Sequence, residues 1–309
     1  MRLMTAAMLL VQVLTAPDPK QMEQAPDLGF KAVPHSLVLP DHIEMGAPSS
    51  VATSARGHLV VFNRGPHPLL EFSADGKFVR SLGVGLYTRP HGMRIDKDDN
   101  IWTTDVAGHT VTKLSPKGEV LLVLGKRGQP GDWNEAANSR LLNEPTDVAI
   151  APSGDVFVTQ GHGRGDPRVL RFDGGGKLIA SWGGLGASPG QFDIAHSIVI
   201  DAKGLVHVAD RQNRRVQVFE ASGKFIEERR YAGLPCGLVI GPDGQMYLVS
   251  GFAGQILRLD ASGKVLAAMG QPGKQLGEFG EAHYVSFGPR GEIYVADTVK
   301  PALHKFVRR

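Results

Sequence analysis

The sequence has a single cysteine, no long charge run and, after its first residues, no long apolar run. With Cys236 alone, no disulfide can form within the 309-residue chain. Lys and Arg total 34 against 31 for Asp and Glu, so the formal net charge is only +3. Because a nucleic-acid surface requires clustered positive charge, we expect no nucleic-acid partner. Nor is any later stretch long and apolar enough to predict a membrane span.

The first residues, MRLMTAAMLLVQVLTA, combine a basic start with a short apolar stretch. This pattern is typical of a secretory signal peptide and is too short for a membrane helix. We therefore predict a signal peptide over residues 1–16 and an exported protein, either periplasmic or secreted. Residues 17–45 are rich in proline and contain one strand-like run, SLVLP, at residues 36–40.

One phrase recurs six times in a chain that contains 39 glycines and 20 prolines. Each copy has an alternating apolar run, a turn rich in Gly, Asp and Asn, and a second apolar run, which together predict a β-hairpin. A polar residue stands fourteen positions after the start of every copy, where we expect it to bond to backbone groups at strand ends. The copies start at Ser49, His91, Thr146, His196, Cys236 and His283.

Five copies continue with a third run, a turn and a fourth run, as in TKLSPKGEVLLVLG. Four short strands per copy predict an all-β fold, a six-bladed β-propeller over residues 46–309. The sixth copy lacks its fourth run, so we expect part of residues 17–45, with SLVLP as the candidate, to close the last blade. We expect a monomer, and we expect Trp102, Trp133 and Trp182 to pack between blades.

The histidines among these starting positions occupy alternate copies. In a propeller the first strand of every blade lines the central channel, so the starting residues meet at one mouth of it. His91, His196 and His283 are then related by a third of a turn and converge on one point. Three neutral imidazoles with an open fourth position are typical of a catalytic Zn²⁺ site. The alternative is that the three histidines are unconnected.

Two arginines follow the fourteenth positions. Only the first and fourth copies place an arginine there, Arg64 and Arg211, in blades that face each other across the ring. Arginine is suited to binding a carboxylate through two hydrogen bonds. We therefore predict that both flank the metal, against the alternative of exposed loop cations.

From about residue 51 to residue 306 the chain resembles the peptidyl-α-hydroxyglycine α-amidating lyases, which are six-bladed propellers of NHL-type repeats. The resemblance is closest in RPHGMRIDKDDNIWTTDVAGH, PGQFDIAHSIVI and VADRQNRRVQVF. It implies that His91, His196 and His283 hold a catalytic zinc. It also implies a site role for Arg64 and Arg211, and cleavage of a peptidyl α-hydroxyglycine substrate to an amide and glyoxylate.

The sequence departs from this family at two positions. The family's catalytic tyrosine is replaced by His162, which is our candidate for the base, with Tyr284 and a zinc-bound hydroxide as the alternatives. Tyr284 itself stands where the family has an aspartate that helps to bind a structural calcium. The backbone ligands of that calcium would map to Val51 and Met93, without the carboxylate.

These observations predict a zinc-dependent carbon–nitrogen lyase. The principal alternative is a non-catalytic NHL propeller that binds a peptide, polysaccharide or protein, because a fold does not determine its function. A propeller lactonase is a third possibility, but such enzymes surround their metal with acidic side chains, which the starting positions do not offer.

Overall fold

The computed structural model describes residues 18, 20–34 and 37–309. Within these residues the chain is all-β, with six four-stranded sheets and two two-stranded ones. No helix in this part of the chain is long and apolar enough to cross a membrane. The predicted signal peptide at residues 1–16 lies outside the described residues.

Six sheets form the blades, each numbered from its inner strand outwards. The strands of blades one to three are β2 (Pro48–Thr53), β3 (Leu59–Asn63), β4 (Leu69–Phe72), β5 (Phe78–Leu82), β6 (Pro90–Ile95), β7 (Ile101–Asp105), β8 (Thr110–Leu114), β9 (Val120–Gly125), β12 (Pro145–Ile150), β13 (Val156–Gln160), β14 (Arg168–Phe172) and β15 (Leu178–Gly183). The strands of blades four and five are β16 (Ala195–Ile200), β17 (Val206–Asp210), β18 (Arg215–Phe219), β19 (Phe225–Arg230), β20 (Pro235–Ile240), β21 (Met246–Ser250), β22 (Gln255–Leu259) and β23 (Val265–Met269).

The sixth blade combines both ends of the described chain. Its strands are β26 (Ala282–Phe287), β27 (Ile293–Asp297), β28 (Ala302–Arg308) and, outermost, β1 (Phe30–Val33). The remaining short strands are β10 (Trp133–Asn134), β11 (Ser139–Arg140), β24 (Gln271–Pro272) and β25 (Glu278–Phe279). Each inner strand contacts the inner strands of both neighbouring blades, so the six blades close a ring around one channel. The predicted propeller is confirmed.

The strand that completes blade six differs from the expected SLVLP run. Phe30–Val33 pairs antiparallel with β28, whereas Val38 of SLVLP makes only an isolated bridge to Lys77 in blade one. Phe30 is 7% exposed and, with Ala32, packs into the core between blades five and six. Since Lys31 points outward between these two residues, the segment has one buried and one solvent face, as an outer strand requires.

The hydrophobic core is divided into six clusters, and each cluster lies between two neighbouring blades. As predicted, the tryptophans belong to these interfaces. Trp102 and Trp133 contribute to the cluster between blades two and three, and Trp182 packs against the next one. The channel is therefore lined by rigid strands that are packed from behind.

Candidate metal centre

The six starting residues lie at one end of the channel, and we call them the ring positions: Ser49, His91, Thr146, His196, Cys236 and His283. We call this end of the channel the histidine mouth. In every blade the pairing of the first two strands shifts register at the ring position, for example between Pro145 and Asp147 and between Ala195 and Ser197. Such a β-bulge leaves a residue unpaired and changes the direction of its side chain. All six ring residues are at most 2% exposed. The bulges therefore direct the ring side chains into the channel.

Each ring histidine is oriented by the next blade. Nδ1–H of His91 donates to the main-chain oxygen of Thr146 at 2.7 Å, and the equivalent bonds of His196 and His283 reach Cys236 and Ser49 at 2.8 and 2.7 Å. Because a carbonyl oxygen only accepts, Nδ1 must carry the proton in all three rings. A backbone bond of this kind commonly orients histidine ligands of metals.

The opposite ring nitrogen lacks a partner in two of the three histidines. Nε2 of His91 and of His196 is buried and has no hydrogen-bond partner. Burial is the largest cause that holds the pKa values of His91 and His196 well below 6.5, and the charges of neighbouring groups lower them further. Burial also lowers the pKa of His283 to about 3. The rings are therefore neutral at physiological pH. An unpartnered buried lone pair is costly unless a ligand satisfies it.

The three rings converge as predicted. Their centroids are 4.7 Å apart for His91 and His196, 4.7 Å for His91 and His283, and 5.0 Å for His196 and His283. His162 joins them, with its centroid 4.9 Å from that of His91. Among the described residues, the histidines whose ligand nitrogens all fall within 4.8 Å of one another are His91, His162 and His196. This group has His162 in place of the predicted His283.

His162 lies on a loop at residues 161–166, the blade-three loop, which is fastened by Glu144. The Glu144 main-chain oxygen accepts from the N–H of Gly161 at 3.1 Å, and its carboxylate accepts from the N–H of Gly163. Glu144 is in turn held by His109, whose Nδ1 accepts its N–H at 3.1 Å. Burial, together with nearby arginine charges, lowers the pKa of His162 to about 3, so this ring is also neutral.

Arg64 and Arg211 both reach the histidine mouth, but in different states. Arg211 is buried, and its Nη2 donates to Glu281 at 2.5 Å, whereas its Nε has no partner. Arg64 is half-buried and donates from Nε to the main-chain oxygen of Pro90 at 3.3 Å. Burial is the largest cause that lowers the pKa of His283, and the positive charges of both arginines lower it further. Both arginines therefore lie within electrostatic range of the histidines.

Tyr284 is buried in the channel beneath the ring positions, and its side chain does not face the histidine mouth. Its hydroxyl lies 3.4 and 3.3 Å from the main-chain oxygens of Thr146 and His196, and burial raises its pKa well above 10. A phenol that donates to carbonyls and resists ionisation is a poor base. The contacts of Tyr284 therefore favour a structural role over the catalytic one considered from sequence.

Four side chains fill the channel below the histidines, and we call them the channel plug: Arg94, Asp147, Ser197 and Tyr284. Arg94 donates to both carboxylate oxygens of Asp147, and also to main-chain oxygens of blades four and five. Below Arg94, an apolar cavity of about 540 Å³ opens at the other end of the channel. The ring and the plug are thus stacked along one axis.

The plug does not fit the calcium that the resemblance would map to the main-chain oxygens of Val51 and Met93. Calcium takes six to eight oxygen ligands, among which carboxylates supply the charge. Here the one carboxylate of the plug, Asp147, is bonded to Arg94, and the guanidinium already supplies positive charge at the axis. We therefore assign no calcium to these carbonyls.

The polar residues that stand fourteen positions after each ring position form hydrogen bonds with backbone groups, as predicted. Asp105 accepts the N–H groups of Thr88 and Arg89, and Asp297 accepts those of Gly280 and Glu281. Equivalent bonds are made by Asn63, Gln160 and Asp210. These bonds fix the segment that precedes each inner strand. Among the six, Ser250 differs, because its hydroxyl has no partner.

Sequence reasoning missed three residues at the histidine mouth. Arg89, Glu144 and Glu281 each stand two positions before a ring residue, in blades two, three and six. The signal was present in the repeat alignment, since charged residues at that position occur in three of the six copies.

Comparison with known proteins finds relatives among amidating enzymes. No family model matches the chain. Peptidyl-glycine alpha-amidating monooxygenase B of Xenopus laevis is 31% identical over 308 residues, which cover 86% of this chain and 34% of that protein. A probable peptidyl-alpha-hydroxyglycine alpha-amidating lyase of Caenorhabditis elegans is 32% identical over 205 residues, covering 58% of this chain and 57% of that one. The chain spans about a third of the length of the Xenopus protein.

A relative of another kind is NHL repeat-containing protein 3 of Homo sapiens, 29% identical over 274 residues, which cover 83% of this chain and 72% of that protein. Among solved structures, a streptogramin B lyase matches with a TM-score of 0.66 at 18% identity, covering 91% of this chain and 98% of that one. At such low identity the match shows the fold alone. The chain is thus a homologue of amidating lyases and NHL-repeat proteins, and the resemblance seen in the sequence is confirmed.

Proposed function

We propose that this homologue of the amidating lyases is a zinc-dependent carbon–nitrogen lyase that cleaves an α-hydroxyglycine to an amide and glyoxylate. The observation that carries the proposal is the ring of His91, His196 and His283. Their Nδ1 atoms are fixed by backbone oxygens, and their neutral rings converge beside two arginines. A bound metal would satisfy the buried Nε2 atoms of His91 and His196, which have no partner.

The donor set fits zinc. Three neutral imidazoles with one open position are the ligands of many catalytic zinc sites, and imidazole nitrogen is a preferred ligand of this metal. When bound, zinc would supply a Lewis acid that lowers the pKa of the substrate hydroxyl. His91, His196 and His283 would hold it, and His162 lies on the side where a substrate enters.

The reaction consumes no water. The O–H bond of the substrate breaks, its oxygen forms the carbonyl of glyoxylate, and the carbon–nitrogen bond breaks with its electron pair moving to nitrogen. The proton that leaves the hydroxyl ends on the amide nitrogen, so atoms and charge balance. The protein must therefore take one proton, return it and hold a carboxylate throughout.

Three side chains supply these functions. His162 lies next to the ring positions and is neutral, so a ring nitrogen can accept the hydroxyl proton. Because burial and nearby arginine charges lower its pKa to about 3, it is a weak base but readily returns the proton to the leaving amide. Arg64 binds the carboxylate of the substrate. Arg211, which is held by Glu281 and has an Nε without a partner, stabilises the negative charge that develops on the hydroxyl oxygen.

The second candidate is a non-catalytic binding propeller. It is favoured by the similarity to NHL repeat-containing protein 3 and by the replacement of the family tyrosine by His162. In this case a metal at the ring would only stabilise the fold or bind a ligand.

The test is glyoxylate release from an N-acyl-α-hydroxyglycine by the purified protein, as isolated, after chelation and after zinc is restored. Turnover that is lost on chelation and regained with zinc supports the lyase. A protein that binds zinc but releases no glyoxylate above background would favour the binding propeller. Substitution of a histidine at a ring position should abolish this activity. His58→Gln is the matched control for that substitution, since His58 pairs with Glu71 away from the channel.

We also propose that residues 1–16 direct export, on the composition of that segment alone. The mass of the mature N-terminus in a fractionated host tests this proposal, and a retained Met1 in the cytoplasm would contradict it.

A further inference from the structure

A fourth imidazole lies among those of the ring positions at the histidine mouth. The centroid of the His162 imidazole is 4.9 Å from that of His91 and 5.7 Å from that of His196. The ligand nitrogens of these three histidines all fall within 4.8 Å of one another. The imidazole of His283 is in turn 4.7 Å from that of His91, centroid to centroid. The four side chains therefore form one cluster.

The blade-three loop, which carries His162, is fastened to two blades. At its base the amide of Gln160 donates to the carboxylate of Asp166 at 2.6 Å, which closes the loop within blade three. Arg164 forms an ion pair with Asp193 at 2.7 Å, in the segment that leads into the inner strand of blade four. These contacts hold the backbone of His162 at the histidine mouth.

The imidazoles of the cluster are not joined by hydrogen bonds. Nε2 of His91 and Nε2 of His196 are buried acceptors without a partner. Within the described part of the chain, neither imidazole nitrogen of His162 forms a hydrogen bond. In a cluster held by hydrogen bonds, the N–H of His162 would donate to one of these two acceptors, because a buried acceptor without a partner is costly.

A cation would satisfy several lone pairs that face one space. Imidazole nitrogen is a preferred ligand of zinc, and a tetrahedral set of four ligands is the usual coordination of this metal. The three histidines of the ring positions supply three ligands. His162 is the side chain that the structure brings to the remaining position.

We infer that His162 is a fourth ligand of the metal, so that the resting protein holds zinc through four imidazoles. The inference rests on the proposed function and deepens it, since a substrate oxygen must then displace His162. The freed imidazole would lie beside the hydroxyl whose proton it accepts. The resemblance implied three histidine ligands, so the fourth belongs to the position at which this chain departs from the family.

Nuclear magnetic resonance of the full chain, labelled with nitrogen-15 in its histidines, tests the inference without turnover. An imidazole nitrogen that binds zinc changes its chemical shift, so the ligands can be counted when zinc is added to the metal-free protein. The signals of His162 are assigned by their absence from His162→Gln. Arg164→Gln is the matched control, because it removes the ion pair with Asp193 from the same loop but no imidazole.

We expect four imidazoles to respond to zinc in wild type and in Arg164→Gln, and three in His162→Gln. Zinc affinity, measured by competition with a chelator, should fall at least about tenfold in His162→Gln, since loss of even an indirect partner of a metal ligand costs about 10–100-fold. Some affinity should remain, because the other three histidines lie on packed strands.

Two results would overturn the inference. The first is a His162 imidazole that does not respond to zinc in wild type. The second is a loss of zinc affinity in Arg164→Gln as large as that in His162→Gln, because the loop and not the imidazole would then be responsible.

These outcomes are separate from those of the lyase assay. Glyoxylate release by a protein in which His162 does not respond to zinc would refute the fourth ligand and leave the lyase intact. A response of all four imidazoles in a protein that releases no glyoxylate would refute the lyase and leave a metal centre closed by His162.

Discussion

Replacing Asp147 by asparagine tests whether the channel plug stabilises the propeller. Asp147 is fully buried and accepts from Arg94 at 3.2 and 2.5 Å, from Ser197 at 2.7 Å, and from the N–H groups of Ile198 at 3.2 Å and Val148 at 2.9 Å. Asparagine has nearly the same shape but no charge. The substitution therefore leaves the Arg94 guanidinium without a counter-ion.

Removal of one partner of a buried ion pair costs about 3–5 kcal/mol in the free energy of unfolding. With an unfolding entropy of about 2.1 cal/mol/K per residue, the described part of the chain, about 290 residues, has an unfolding entropy of roughly 0.6 kcal/mol/K. The expected fall in Tm is therefore about 5–8 °C.

The assay is calorimetric unfolding at pH 7 with excess chelator, and then with calcium. Asp243→Asn is the matched control, because the Asp243–Arg258 pair is about one-third exposed and should contribute less than about 1 kcal/mol. Calcium should leave the Tm of wild type unchanged, since the plug already supplies its own cation. A fall of less than about 1 °C for Asp147→Asn, or a rise in wild-type Tm with calcium, would refute this reasoning.

Three further outcomes are expected. His196→Gln should abolish tight zinc binding, and His207→Gln should retain it, as measured by metal content after dialysis. Equal zinc content in the two variants would refute a metal site at the ring positions. Glu144→Ala should lower kcat about tenfold at unchanged zinc content, because it releases the blade-three loop; an unchanged kcat would show that the loop needs no such support. Burial alone would raise the pKa of Glu71, but hydrogen bonds from a histidine and an arginine outweigh it and lower that pKa. The stability gained is therefore present above the unfolded pKa and is lost as pH falls through the lower folded pKa. Glu71→Gln should cost about 1–3 kcal/mol at pH 7 and progressively less as the pH falls through that folded pKa in urea unfolding; a pH-independent loss would contradict this.

The sequence by itself determined the repeat and therefore the fold. Six copies of one alternating pattern can bury their apolar faces only against each other, and this requirement leads to a ring of blades. The same alignment located His91, His196 and His283, because equivalent positions in a closed ring must meet at one mouth. The fold and the convergence of the three histidines were thus both predictable from the spacing of the repeats.

Other features were decided only by the tertiary structure. The segment that closes blade six is Phe30–Val33, since a four-residue outer strand has too weak a pattern to be distinguished from SLVLP. The β-bulge that turns each ring residue inward depends on pairing between strands, which alternation does not specify.

The partners of each charge also required the structure. In the sequence Arg64 and Arg211 are equivalent, fifteen residues after their ring positions. In the folded protein Arg211 is buried and paired with Glu281, whereas Arg64 is half-buried and donates to the main-chain oxygen of Pro90. Such pairings join residues of different blades, and their energy depends on distances and burial that only ring closure determines.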